Sequence, residues 1–193
     1  DWAAKTGITE DGLVRFAMAA LLEYLHDTQI KGVERLKTVI TYNEAQFMSL
    51  SPVTRANLEL TETLRGREKR GTLLWVLDKT KTAMGKRLLR KYLEQPLANI
   101  PQITRRQAAV AELFEKNIDR IELAEALSGV YDLQRLMTKV VYGTVNPREM
   151  QALSFTASHL PQVKELTRTF SSALLRDLDT QLDTLSDIQS LID

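Results

Sequence analysis

Apolar residues recur at three- and four-residue steps along most of the chain, and that spacing predicts helices. Leu13, Phe16, Ala17, Ala20, Leu21, Tyr24 and Leu25 make one face of a first helix. Val14, Met18 and Leu22 add a second stripe, so this helix is apolar over most of its circumference and is expected at the centre of the fold. Thr9 stands where it can cap the helix, with Glu10 and Asp11 placed well for its dipole. The pattern changes at Thr38-Val39-Ile40-Thr41-Tyr42 and at Phe47-Met48-Ser49-Leu50. Both runs are β-prone, and they predict a short strand pair or an extended crossing near residues 36–50.

Helical spacing then returns. Ser51 caps and Pro52 takes the first helical position ahead of Val53, Ala56, Leu60 and Leu64, with Gly66 closing the helix in a left-handed conformation. A short apolar segment runs from Gly71 to Asp78. Thr82 caps the next helix, where Met84, Leu88 and Tyr92 stack and Pro96 ends the run. Gly85 in its first turn costs about 1 kcal/mol against Ala, which implies a close backbone approach there. A helix from about Pro101 turns Ile103, Val110, Leu113 and Phe114 inward, and another begins near Ile118. Leu133, Leu136, Met137, Val140 and Val141 lead to Gly143. Asn146-Pro147-Arg148-Glu149 is a capping box, and Met150, Leu153, Ala157 and Leu160 form the face behind it until Pro161. Leu166, Phe170, Leu174, Leu178, Leu182, Leu185, Ile188 and Leu191 continue one stripe for about 25 residues and predict a long C-terminal helix. The class is all-α: a multi-helix core with that long helix and the small extended element.

Composition supports this. The chain has 193 residues, 44% hydrophobic and 26% charged, with 8 Gly and 5 Pro, which suits packed helices. A chain this long buries roughly 70% of its unfolded surface and needs no staple to fold. The absence of Cys excludes a disulfide framework, a thiolate zinc site, an iron–sulfur cluster and a Cys nucleophile, and it fits a reducing compartment. No apolar run reaches the roughly 18 residues of a membrane span, and no secretory signal pattern opens the chain. Asp1 stands first instead of Met, so a piece of a longer protein is expected.

A net charge of +1 conceals a gradient. Residues 51–106 hold 13 Lys+Arg against 5 Asp+Glu, a surplus of eight positive charges, whereas residues 171–193 carry five Asp against Arg176. The basic stretch reads either as a surface for phosphates or an acidic partner, or as a solvated helix face. No aromatics interleave with it as a single-strand stacking platform requires.

Candidate chemistry is sparse. Gly66-Arg67-Glu68-Lys69-Arg70-Gly71-Thr72 imitates the spacing of a phosphate loop but lacks the Lys after the second Gly, so it reads as a polar surface loop. His26 and His159 have no metal-ligand spacing around them. Ser171 and Ser172 lack a nucleophile-elbow context, and Asp179 and Asp183, one helical turn apart, read as solvated. Trp75 and Tyr92 read as core or interface anchors. No catalytic, cofactor-binding, metal-binding or DNA-binding residue is assigned.

Several longer motifs carry a family resemblance. Leu50-Ser51-Pro52-Val53-Thr54-Arg55-Ala56-Asn57-Leu58-Glu59-Leu60 leads to Thr61-Glu62-Thr63-Leu64-Arg65-Gly66. Gly71-Thr72-Leu73-Leu74-Trp75-Val76-Leu77-Asp78 then precedes Thr82-Ala83-Met84-Gly85-Lys86-Arg87-Leu88-Leu89-Arg90 and Leu93-Glu94-Gln95-Pro96-Leu97. Further echoes are Leu21-Leu22-Glu23-Tyr24-Leu25-His26-Asp27-Thr28-Gln29, Arg106-Gln107-Ala108-Ala109-Val110, and Asp132-Leu133-Gln134-Arg135-Leu136 through Pro147-Arg148-Glu149. Together they resemble the central domain of MutS-type DNA mismatch repair proteins, over essentially the whole chain. Gln134 departs from the Glu usual in that family.

The resemblance implies that residues 1–193 are the first part of a helical core or lever domain, ending before the family's DNA clamp is inserted. The family's mismatch-reading wedge and ATPase motifs have no counterpart in the sequence. The implied role is that of a scaffold that couples an ATPase dimer to DNA clamping in mismatch repair and performs no chemistry itself. ATP and Mg would then act in the full-length DNA-dependent ATPase, with no cofactor in this fragment. The implied partners are mismatched double-stranded DNA, a second copy in a homodimer and a MutL-like repair protein, with no membrane. The implied location is the bacterial cytoplasm, in association with the nucleoid. The alternative is a freestanding nucleic-acid-binding or protein-interaction module using the basic segment 51–106.

Overall fold

The computed structural model describes residues 12–28 and 46–192, in two units that divide between Asn43 and Glu44. In the first unit, α1 spans Gly12–Thr28. Phe16, Leu21 and Tyr24 on it are exposed, so the interior position expected from its apolar circumference is not found. Periodicity reports which faces are apolar, but not what covers them. Thr9, Glu10, Asp11 and the run Thr38–Tyr42 lie outside the described residues.

The second unit is helical, with α2 Pro52–Asn57, α3 Leu73–Leu77, α4 Ala83–Glu94, α5 Ile100–Glu115 and α6 Asn117–Ser128. Next in the chain come α7 Leu133–Tyr142, α8 Pro147–Thr167, α9 Ala173–Gln181 and α10 Ser186–Ile192. Local signals set most starts. The side-chain oxygens of Ser51, Thr72, Thr82, Asn99, Asp132 and Asn146 each accept a backbone N–H of the first turn. At α8 the capping box is complete: Asn146 Oδ1 accepts from Glu149 N at 3.0 Å, and Glu149 Oε2 accepts from Asn146 N at 3.1 Å. Gly143, at φ +68°, closes α7 in the left-handed region that glycine enters without steric cost.

The extended element is present at its C-terminal end. Phe47 and Leu97 form an isolated antiparallel bridge, with Met48 N donating to Pro96 O and Ala98 N to Gln46 O, both at 2.8 Å.

Four expectations are corrected. First, α2 ends at Asn57 instead of running to Gly66. Glu59 turns left-handed at φ +47°, and its carbonyl and that of Leu60 accept from Leu73 N and Leu74 N, which locks the chain out of helix. Gly66 is left-handed as expected, but within a turn closed by Thr63 N donating to Glu68 O. Second, α5 buries Ala109 and half-buries Ile103 and Leu113, while Val110 and Phe114 are exposed. Third, α8 continues through Pro161 to Thr167. A proline inside a helix costs about 3 kcal/mol. Here its ring faces solvent, while buried Leu160 and Val163 hold the helix on either side. Fourth, the single C-terminal helix is broken into the end of α8, then α9 and α10. The second break, at 182–185, has Leu182 extended, Leu185 at φ +52° and Asp183 Oδ1 accepting from Leu185 N at 3.0 Å. The longest described helix is therefore α8, 21 residues and about 30 Å.

α8 is the spine of this unit, with α6, α7, α9 and α10 packed along it. Ala126, Val130, Leu160 and Val163 form one buried cluster, flanked by Met84, Leu166, Leu182 and Leu185. Ala109, Phe170 and Leu175 form a second, flanked by Leu113 and Leu174. Leu123 of α6 packs against both.

Candidate functional site

The polar side chains that the fold brings together lie at helix ends, where one helix is fastened to another. The most heavily bonded is Glu112, near the end of α5. Its Oε1 accepts from Ser171 N at 2.6 Å and Ser171 Oγ at 2.9 Å, and its Oε2 from Ser172 N at 2.7 Å. Ser172 stands at the N-cap of α9 without a side-chain cap hydrogen bond, and a carboxylate from 60 residues away accepts its backbone N–H and sets a negative charge at the helix N-terminus. Lys116 braces the same group: its Nζ is 3.0 Å from Glu112 Oε1 and donates to Thr169 O at 2.5 Å. Burial alone would raise the Glu112 carboxyl pKa. The backbone N–H groups of Ser171 and Ser172, together with Lys116, outweigh that and hold it well below the usual carboxylate range. Arg105, at the other end of α5, pairs with Asp177 of α9.

A second fastening joins α4 to α7. The Arg87 guanidinium grips Asp132 with two bonds of 2.7 Å, the fork geometry that suits Arg and carboxylate. Its Nη2 also donates to Gln134 Oε1 at 2.7 Å. Asp132 meanwhile caps α7 through Arg135 N. Arg87 is the main reason its carboxyl titrates below the ordinary Asp value. Lys139 pairs with Glu149 across the turn between α7 and α8. Lys164 Nζ donates to Leu182 O at 2.5 Å, and Thr167 Oγ1 to Asp179 Oδ1 at 2.8 Å, pinning the end of α8 to α9 and its exit. Thr156, fully buried on α8, accepts from Tyr131 N at 3.2 Å.

The other sequence candidates fall into place around these fastenings. Gly66–Thr72 folds back on itself: Thr63 Oγ1 accepts from Glu68 N, and buried Thr72 caps α3 while donating to Lys69 O. Two of its backbone donors, Glu68 N and Thr72 N, are bonded within the chain, to Thr63 Oγ1 and Lys69 O. His159 Nδ1–H donates to Phe155 O at 2.8 Å, with its ring 4.3 Å from that of Phe155. His26 is exposed on α1. Ser171 serves the Glu112 clasp, and Asp179 receives Thr167 instead of standing free in solvent. At Gly85 a Cβ would meet the Thr82 hydroxyl at 3.1 Å, so the close approach is by the capping side chain and not by backbone. Tyr92 carries the Arg106 guanidinium 3.7 Å over its ring, whereas Trp75 is half exposed on α3.

The basic segment divides in two. Arg55, Lys86, Arg87, Arg90, Arg105 and Arg106 are engaged with groups of this chain. Arg65, Arg67, Lys69, Arg70, Lys79, Lys81 and Lys91 are exposed, and no side-chain partner faces them among the described residues. No helix among the described residues is long and apolar enough to cross a membrane.

No sequence pattern marks the Glu112 clasp, because its acceptor and donors lie on segments far apart in the chain. Arg87 and Asp132 both stand inside motifs of the family resemblance, but only the fold pairs them.

The chain is similar to DNA mismatch repair protein MutS of Lachnoclostridium phytofermentans, with 46% identity over 92% of this chain and 19% of the relative. The MutS of Alkaliphilus oremlandii is 46% identical over 92% of the chain and 20% of the relative, and that of Clostridioides difficile 38% identical over 98% and 20%. The chain thus spans about a fifth of the length of these relatives. Residues 53–193 match the family model of MutS domain III. That match covers all but the first residue of α2 to α10 together with the fastenings between them, and the chain belongs to the MutS domain III family.

Proposed function

We propose that the chain serves DNA mismatch repair as the first part of a core or lever domain, ahead of the clamp, spanning residues 1–193. In this role it couples the nucleotide state of an ATPase to the clamping of mismatched double-stranded DNA. ATP and Mg act elsewhere in the whole protein, which works as a homodimer with a MutL-like partner, and this part performs no chemistry. The observation that carries the reading is the domain III match over residues 53–193. Supporting it is the set of directional fastenings that tie α4 to α7, α5 to α9, α7 to α8 and α8 to α9 and resist sliding between them.

Glu112→Gln combined with Arg105→Ala loosens the hold of α5 on α9. In the whole protein this pair should slow ATP-driven release from a mismatch, while mismatch binding and ATP hydrolysis persist. Release at the parent rate in that double variant overturns the coupling role. A freestanding nucleic-acid binder on residues 51–106 is the weaker reading, because six of its thirteen cations are occupied within the chain.

A further inference from the structure

The face of α3 is apolar and open to solvent. Four of its five residues, Leu73, Trp75, Val76 and Leu77, are 42–56% exposed, and only Leu74 is buried. A single turn of helix displaying apolar side chains to water is costly unless something covers it, at about 25 cal/mol per Å² of apolar surface. The turn is nevertheless firmly held. Thr72, 1% exposed, caps it through Trp75 N, and Leu73 N and Leu74 N donate to Glu59 O and Leu60 O. At its far end Asp78 Oδ2 pairs with Lys86 at 2.8 Å, and Asp78 Oδ1 accepts from Thr80 Oγ1 at 2.6 Å. The exposed face is therefore presented by a fixed frame.

A groove of about 470 Å³ opens beside this face, lined by Trp75, Val76, Leu74, Lys69, Lys79 and Lys86. Lys86 is neutralised by Asp78, but Lys69 and Lys79 have no carboxylate partner among the described residues. Arg70 and Lys81, next along the chain, are likewise exposed and unpaired among the described residues. The feature is thus an apolar strip with cations on its rim and its one acidic lining residue, Asp78, already satisfied.

We infer that the α3 face, with Trp75 and Val76 as its apolar floor and Lys69 and Lys79 as its rim, is a docking surface for an acidic amphipathic protein segment. Carboxylates of that segment meet the free lysines, and its aliphatic residues cover the indole and the valine. Charge complementarity selects the sign of the partner, and the apolar strip selects a peptide over a bare polyanion. A duplex backbone would satisfy the lysines and leave Leu73, Trp75 and Val76 wet. This inference does not depend on the coupling role proposed above, and its test reads a different signal.

The chain contains two tryptophans, so Trp2→Phe leaves Trp75 as the sole indole reporter. The probe is a synthetic helical peptide with a leucine stripe flanked by glutamates, titrated into the 193-residue chain. Saturable blue-shifted Trp75 emission is expected. Affinity should fall about tenfold in Lys69→Glu/Lys79→Glu and fall again in high salt. Absence of a shift overturns the inference. So does equal binding of a peptide with the same residues and a scrambled stripe, since charge alone would then suffice. A Trp75 shift produced by a short DNA duplex but not by the peptide overturns it in favour of nucleic acid. A shift that appears on concentrating the chain alone overturns it in favour of a second copy.

Discussion

Replacing Glu112 by Gln removes the charge from the clasp and leaves its shape. The carboxylate receives two backbone N–H groups on different oxygens, Ser171 N at 2.6 Å and Ser172 N at 2.7 Å, and the Ser171 hydroxyl at 2.9 Å. A glutamine offers one acceptor oxygen and turns an NH2 group toward the other N–H, so at least one backbone donor loses its partner. A hydrogen bond to a charged group contributes about 1.5–3 kcal/mol, and the lower end applies because Ser171 is exposed. Loss of the negative charge at the α9 N-terminus adds about 0.3–1 kcal/mol. The sum is about 2 kcal/mol for Glu112→Gln, and about 3 kcal/mol for Glu112→Ala, which vacates every acceptor. Urea unfolding followed by far-ultraviolet circular dichroism at neutral pH measures both. Acid supplies an independent check. The Glu112 carboxyl is held below its ordinary value of 4.5, so on acidification the unfolded chain takes up the proton first. The clasp is at full strength above that value and is lost as pH falls toward the folded one. Glutamine does not titrate, so the gap between parent and variant narrows in acid, by at most about 1.4 kcal/mol per pH unit. A gap below about 0.5 kcal/mol at neutral pH, or one that widens in acid, refutes this account of the clasp.

Three further outcomes rest on the same geometry. Gly129→Ala places a Cβ 2.4 Å from His159 Cδ2 and should cost about 1–3 kcal/mol in urea melts, and pairing it with His159→Ala should recover most of the loss. Leu160→Ala, in the buried cluster on α8, should cost about 3 kcal/mol by the same assay, whereas Leu191→Ala, 82% exposed, should change stability by less than about 0.5 kcal/mol. Gln134→Glu turns a neutral acceptor of Arg87 into a charged one. It should raise the thermal midpoint at low salt, and the gain should disappear in about 0.5 M NaCl.

Helix starts were legible because their causes are local. Ser51, Thr82 and Asn146 each act on a backbone N–H three residues ahead, and such a pattern can be read without knowing the fold. Breaks were legible only where glycine or proline marks them. Between Leu166 and Leu191 the apolar stripe keeps its period through two breaks. It does so because Phe170, Leu182 and Leu185 face the core from the connecting segments as well as from helix. The first break is fixed by Glu112 of α5 and by Lys116 just after it, and the second by a left-handed Leu185 whose side chain packs against the α6–α8 cluster. Pro161 failed as a stop for the opposite reason. Its missing N–H falls on the solvent side of a helix whose other side is buried at Leu160 and Val163. Family motifs located the domain, but they did not disclose that Arg87 and Asp132 form a pair or that Glu112 caps a distant helix.

How the fastenings are placed bears on what the fold can transmit. Apolar packing is non-directional, so two greasy clusters sharing only Leu123 would by themselves let α5 and α9 shift against α8 with little change in buried area. Bonds such as those at Glu112 and Arg87 weaken steeply with angle and distance, so they fix orientation as well as contact. They also lie where a slide would begin. Glu112 holds the first residues of α9, Arg87 the first of α7, Glu149 the first of α8, and Lys164 the exit of α9. A displacement applied to α9 must therefore break the Glu112 clasp or carry α5 with it. Because α9 and α10 fold back along α5 and α8 instead of extending as one helix, such a displacement reaches the spine directly. That arrangement is what the proposed coupling role requires, and it locates the stiffness in a few polar contacts that single substitutions can remove.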